Sequence, residues 1–190
     1  MNETQSHDGF KVSVFIGTSL DGFIARTNGD MDWMQGPGGE GGGDYGYESF
    51  GARIDAIVMG RKTFEKVLTF GTWPYQKPVI VLTHRPLQIP LKLRKEVEIM
   101  AGAPKEVVER LVKRGLLRLY VDGGQTIQEF LTAGLVHELI VSRLPVLIGT
   151  GIPLFGPLQA DIRLKLLETR AFSGGMVQSA YEVESQRAQT

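Results

Sequence analysis

Four short apolar runs, "KVSVFIG" (11–17), "DAIVMG" (55–60), "PVIVLT" (78–83) and "LRLYVD" (117–122), are spaced along the chain with amphipathic stretches between them. Near-continuous apolar strands of this kind are stable only when both faces of a parallel sheet are covered by helices. The intervening segments supply those helices: "DYGYESFGARI" (44–54), "RKTFEKVL" (61–68), "PKEVVERLVKRG" (104–115) and "GQTIQEFLTAG" (124–134). In the third, Pro104 sits near the start, Val107, Val108, Leu111 and Val112 share a side, and Gly115 marks the stop. After "HELIVSRLPVLIG" (137–149) the rhythm changes, and "RLKLLETRAF" and "MVQSAYEV", joined by "SGG", predict a terminal antiparallel hairpin. The pattern predicts a single α/β domain over 11–184, a mostly parallel sheet finished by antiparallel strands, with mobile tails at 1–10 and 185–190.

Composition narrows the chemistry. Lysine plus arginine and aspartate plus glutamate each number 21 in 190 residues, so no global field draws the chain to nucleic acid or an anionic membrane. The absence of cysteine removes disulfides, thiolate nucleophiles and Cys-based zinc sites. His7, His84 and His137 lack metal-ligand spacing, and no metal is expected. The start lacks the basic and apolar regions of a secretion signal, and a cytoplasmic location is the expectation.

Three strand ends then stand out, because ligands of α/β sheets gather at carboxyl ends. In "VMGRKTFE", Gly60 is expected to let the chain turn, Arg61 and Lys62 bring cations, and Thr63 adds a hydroxyl at a helix start, a set that suits phosphate. A basic surface helix start is the plainer alternative. In "VLTHRP", Thr83, His84 and Arg85 suit the extra 2′-phosphate of NADP rather than the bare ribose of NAD, or form only a solvent turn before Pro86. In "LYVDGGQTIQEF", Gly123 and Gly124 lead directly into a helix and allow backbone to approach a pyrophosphate; a tight turn with nothing bound also needs such glycines.

These junctions, behind "SLDGFIA" and followed by "VDGGQTIQEFLTAGLVHEL" and "PVLIGTGIPLF", resemble the dihydrofolate reductase superfamily, and within it the reductase domain of the riboflavin-biosynthesis deaminase–reductase and its stand-alone relatives. The resemblance covers roughly residues 11–183. It implies a dihydrofolate reductase-like sheet of eight strands, often a homodimer, that binds NADPH. Carried over by position, Gly17 and Ile24 would meet the nicotinamide carboxamide. Gly60, Arg61, Lys62 and Thr63 would hold phosphates, Leu82, Thr83, His84 and Arg85 would face the adenosine 2′-phosphate, and Gly123, Gly124, Gln125 and Thr126 would cover the pyrophosphate. The family's mobile active-site loop matches residues 18–34, around Asn28 and Trp33. "GPGGEGGG" (36–43) extends it, either as a lid that closes over substrate or as a tolerated insertion.

Two carboxylates are the catalytic candidates. Asp44 falls where dihydrofolate reductases keep their acid, yet it also opens a helix and suits an N-cap. Asp122 ends a strand beside the glycine pair, as a substrate contact or a turn-stabilising residue. Asp21 reads as a turn former, and Ser142 as either a pocket wall or core packing. Arg26, Arg53 and Arg143 are scattered candidates for a substrate phosphate. The implied activity is NADPH-dependent reduction of a small pyrimidine- or pterin-type molecule, as by 5-amino-6-(5-phosphoribosylamino)uracil reductase. Dihydrofolate reduction and cofactor binding without turnover are the alternatives.

Overall fold

The computed structural model describes residues 9–35 and 44–184. The glycine-rich segment 36–43, expected as lid or insertion, and the tail 185–190 lie outside the described residues. Eight strands form one sheet. In chain order they are β1 (Lys11–Thr18), β3 (Ala56–Gly60), β4 (Val79–Leu82), β5 (Val97–Met100), β6 (Arg118–Asp122), β7 (Glu138–Arg143), β9 (Leu164–Ala171) and β10 (Val177–Val183). Two short strands, β2 (Phe23–Ala25) and β8 (Ile152–Pro153), pair separately. The sheet order is β5-β4-β3-β6-β1-β7-β10-β9, parallel from β5 to β7, with β10 antiparallel to both β7 and β9. This is the expected dihydrofolate reductase-like sheet with its terminal hairpin. β5 was not foreseen, because "VEIM" is short and its middle residues, Glu98 and Ile99, are exposed.

The helices are α1 (Tyr47–Ala52), α2 (Arg61–Leu68), α3 (Pro104–Lys113) and α4 (Gly124–Thr132). Strand alternation divides the interior in two. Val12, Val14, Val58, Ile80, Leu119 and Val121 point towards α3 and α4, where Val107, Leu111, Ile127 and Phe130 are fully buried. Ile57, Met59, Val79, Val81 and Tyr120 point the other way, against Phe50 of α1 and Phe64 of α2. Each such side chain removed from water contributes about 1.5–3 kcal/mol before ordering costs, so covering both faces stabilises a sheet that would otherwise be exposed.

Glycine stops act as expected. Gly115 (φ 80°) donates to the Val112 carbonyl while Leu116 donates back to Leu111, and Gly134 (φ 66°) and Leu135 repeat this pattern after α4. Phe10 differs from its expected place in the tail: its ring packs edge-to-face on His137 at 5.1 Å and against the first core. An apolar ring beside a buried strand end lowers its free energy by docking there. No helix among the described residues is long and apolar enough to cross a membrane.

Candidate active site

β3 is followed by α2 towards β4, whereas β6 is followed by α4 towards β7, on the other side of β1. The helices leave adjacent strands in opposite directions, which opens a crevice at the carboxyl ends. Gly60 lies opposite Leu82, Met59 opposite Asp122, and Leu82 opposite Met100, so all three expected junctions share one rim. The end of β5, from Met100 to Pro104, joins them as a fourth edge.

The glycines are needed first for contact between these turns. Gly60 has ordinary extended angles (φ −78°, ψ 161°), so the expected turning role is corrected. What its missing side chain permits is proximity, because a Cβ there would stand 2.9 Å from the hydroxyl of the buried Thr126. Gly123 does need its freedom (φ 91°, ψ 135°), and a Cβ there would overlap the Thr63 hydroxyl. A Cβ on Gly124 would stand 2.8 Å from Ile24 Cδ1. The starts of α2 and α4 therefore interlock reciprocally, Thr126 on Gly60 and Thr63 on Gly123. Two helix N-termini, whose first amides have no acceptor within their own helix, lie side by side.

The cations divide into committed and available groups. Arg61 is committed: its Nε donates to Glu65 at 2.6 Å and its guanidinium to the Pro86 carbonyl at 3.3 Å, tying the first junction to the second. Lys62, His84 and Arg85 are exposed on the rim. The Thr83 hydroxyl accepts from the Arg85 amide at 3.1 Å and shapes that turn. Gln125 is exposed, with its amide donating to Glu129.

The segment 18–34 is pinned at several points. Asp21, expected to form only a turn, accepts from the Ile148 and Gly149 amides at 3.1 and 2.7 Å and so bridges to the loop after β7. Arg26 pairs with Asp32 at 2.6 Å and Asp30 with Lys66 of α2 at 2.7 Å. Asn28 donates to Asp30, and the Met34 side chain lies over Gly17.

The two candidate acids sit in opposite environments. Asp44 is exposed and accepts from the Glu48 and Gly46 amides at 2.7 and 3.0 Å, and these bonds hold its carboxyl below the usual range. It braces the entry to α1. Asp122 is recessed, and burial raises its pKa even though the Tyr75 hydroxyl and the Gly123 amide donate to it at 3.1 and 2.8 Å. Around it, burial and its own charge push Tyr47 up to about 12, and raise Tyr75 and Tyr120 further. All three phenols stay protonated at neutral pH, and Tyr120 donates to the Phe15 carbonyl at 2.9 Å. Burial thus raises the pKa of the recessed Asp122, while hydrogen bonds lower that of the exposed Asp44.

The tyrosine rim was not anticipated. Tyr75 comes from "TWPYQKP", where two large aromatics in a proline-bounded loop were the available signal. Trp73 packs edge-to-face on both Tyr75 and Phe64, and its indole N–H and that of Trp33 are buried without an acceptor among the described residues. Ser142 is buried and accepts from Gln178 at 2.9 Å, so it is tied into the β7–β10 pair. Of the scattered arginines, Arg26 is paired, Arg53 lies at the opposite sheet edge with Glu138, and Arg143 ends β7 at this rim.

A domain of this architecture, with its crevice at the carboxyl ends and an interlocked pair of helix starts, is an α/β fold of the dihydrofolate reductase type. The chain belongs to the RibD C-terminal domain family, whose model matches residues 10–178. It is 34% identical over 175 residues to the uncharacterized protein YwjB of Bacillus subtilis, covering 90% of this chain and 97% of that one. Its fold matches a Shewanella sp. PV-4 protein named for riboflavin biosynthesis at a TM-score of 0.88, with 35% identity over 92% of this chain and 99% of the other. The Thermotoga maritima diaminohydroxyphosphoribosylaminopyrimidine deaminase/5-amino-6-(5-phosphoribosylamino)uracil reductase matches at 0.72 with 14% identity, covering 93% of this chain and 57% of that one. Enterococcus faecalis dihydrofolate reductase, complexed with NADP(H), matches at 0.62 with 15% identity, covering 93% and 99%.

Proposed function

We propose that this protein is an NADPH-dependent reductase similar to 5-amino-6-(5-phosphoribosylamino)uracil reductase, acting on a small pyrimidine- or pterin-type molecule. The observation that carries the reading is the meeting of two helix N-termini with a recessed carboxyl, Asp122, at one sheet edge. The residues fit the cofactor chemically: helix-start amides with Lys62 and Thr63 suit its pyrophosphate, and the exposed His84 and Arg85 suit a 2′-phosphate. When bound, NADPH supplies the hydride. The chain supplies orientation and a proton. Gly17 and Ile24 border the region where the carboxamide would rest. Asp122, whose pKa burial raises, is the group that would give the proton, Tyr75 fixes that carboxyl by donating to Oδ2, and the aromatic rim limits water. Oxidation of NADPH dependent on an added aminopyrimidine or pterin, followed by absorbance, tests the reading; saturable cofactor binding with no turnover on the whole panel overturns it.

The cation at the 2′-phosphate position predicts NADPH binding tighter than NADH by about tenfold or more. Arg85→Ala should bring the two dissociation constants together. Equal affinities in the unmodified protein, measured by titration calorimetry, would defeat that assignment.

The expected homodimer has a suitable surface in β9. Leu164, Leu166 and Leu167 are 40%, 55% and 52% exposed on an edge strand. Antiparallel self-pairing about the Leu166–Leu167 midpoint sets Lys165 against Glu168 of the partner subunit twice, which favours a second copy there. Light scattering should give twice the chain mass, and Leu166→Glu should halve it.

A further inference from the structure

The amino edge of the sheet carries a second polar constellation that the proposed reduction does not use. β1, β6 and β7 begin side by side there, with Lys11 opposite Arg118 and Ser13 opposite Glu138. A cavity of about 220 Å³ opens between them, lined by Lys11, Ser13, Arg53, Ile54 and Arg118. It is remote from the candidate active site. Asp122 is four residues along β6 from Arg118, about 13 Å at strand rise.

Three cations meet two carboxylates at this cavity, and both carboxylates are already engaged. Glu138 is 6% exposed, accepts from the Ser13 hydroxyl at 2.8 Å and from Arg53 at 2.9 Å, and has the Lys11 ammonium 3.4 Å away. Burial raises its pKa, but the Ser13 and Arg53 bonds outweigh that, so it remains ionised. Asp55 accepts from the Leu117 and Arg118 amides at 2.9 and 2.8 Å. The Arg118 guanidinium has no ion-pair partner among the described residues. Glu138 therefore acts as a tether. It fixes Arg53 and Lys11 beside the cavity, and Arg53 is steadied further over the Phe50 ring at 5.1 Å. Held cations and an unpaired guanidinium form a preorganised receptor with surplus positive charge. The volume suits a group of a few heavy atoms, since a water occupies roughly 30 Å³ of liquid.

The geometry points to an anion site at the amino edge that takes a small phosphate, free or as a monoester, on Arg118, Lys11 and Arg53. The site is independent of the cofactor cleft. Occupation would tie the starts of β1 and β6 to the end of α1, three elements the second core already packs together.

Amide chemical shifts of the ¹⁵N-labelled protein, followed at constant ionic strength, test this. Inorganic phosphate and glycerol 3-phosphate are added in separate arms, with chloride as the comparator. Saturable shifts are expected at residues 11–13, 53–54 and 117–119 in at least one phosphate arm, and a larger response to the monoester would identify the esterified form as the better ligand. Arg118→Gln, an exposed substitution that leaves Glu138 paired, should weaken binding about tenfold. Shifts matched by chloride, saturation confined to Thr63, Arg85 or Gly123, or an unchanged Arg118→Gln titration would each overturn the proposal. Because the readout is residue-specific and needs no cofactor, failure of the reductase reading would leave it standing, and the reverse also holds.

Discussion

Asp122→Asn is expected to lower turnover by about 10²- to 10⁴-fold, the usual contribution of a positioned proton donor, while the NADPH dissociation constant stays within about twofold. Asparagine keeps the shape and can accept from the Gly123 amide on its one oxygen, with its NH2 turned to donate to the Tyr75 hydroxyl, but it has no acidic proton to give. In the unmodified protein, kcat should fall as pH rises through the elevated pKa of Asp122, and the variant's residual rate should lack that limb. Stability supplies an independent sign. The folded-state pKa of Asp122 is raised above its ordinary value, so its contribution to stability is complete at pH below that value and is lost as pH rises through the raised one. The variant should therefore gain on the parent in thermal midpoint as pH increases. A loss of activity with no change in pH profile would reduce Asp122 to a positioning residue. Unchanged activity would remove it from the mechanism.

Asp44 gives the contrast. Its carboxylate is exposed and held ionised by the amides at the entry to α1. Both aspartates carry the same chemistry in the sequence, and only the folded surroundings separate them. The three phenols around Asp122 arrive from α1, from the loop after α2 and from β6, which no local pattern connects.

What was legible followed from strong local periodicity. β1, β3, β4 and β6 are continuous apolar runs, and α3 carries its stop signal in Gly115, so their existence and type were readable. β5 was not, because four residues with an exposed middle lack a period. The three junctions were legible as glycine and cation clusters, and the sheet register brings their strand ends to one rim. Their division of labour was not. Arg61 reads as a free cation until Glu65 is seen one helical turn away with the correct rotamer to bind it. Asp21 reads as a turn residue until the loop at Ile148 and Gly149, more than a hundred residues later, is found against it. Arg53 looked like a candidate for substrate phosphate, yet the parallel topology carries it to the far edge of the sheet.

The reciprocal lock between α2 and α4 makes Gly123 the most sensitive backbone position in the cleft. Gly123→Ala would force a side chain into φ 91°, ψ 135°, a region nearly closed to L-residues, and would drive its Cβ into the Thr63 hydroxyl. Strain and overlap together should cost about 2–4 kcal/mol of stability, and the displaced start of α4 should weaken NADPH binding at the same time. The two causes are separable. Thr63→Ala removes the hydroxyl while leaving the backbone strain, so adding it to Gly123→Ala should restore part of the stability, with a coupling of about 1 kcal/mol in a double-mutant cycle. Additive effects would mean that the two turns do not interlock through this pair. Gly60→Ala supplies a control with ordinary backbone angles: any loss there comes from contact with Thr126 alone, and Thr126→Ser, which keeps the hydroxyl, should not relieve it. If Gly60→Ala and Gly123→Ala were equally harmful, the positive φ of Gly123 would contribute nothing, and close approach would be the whole reason for both glycines.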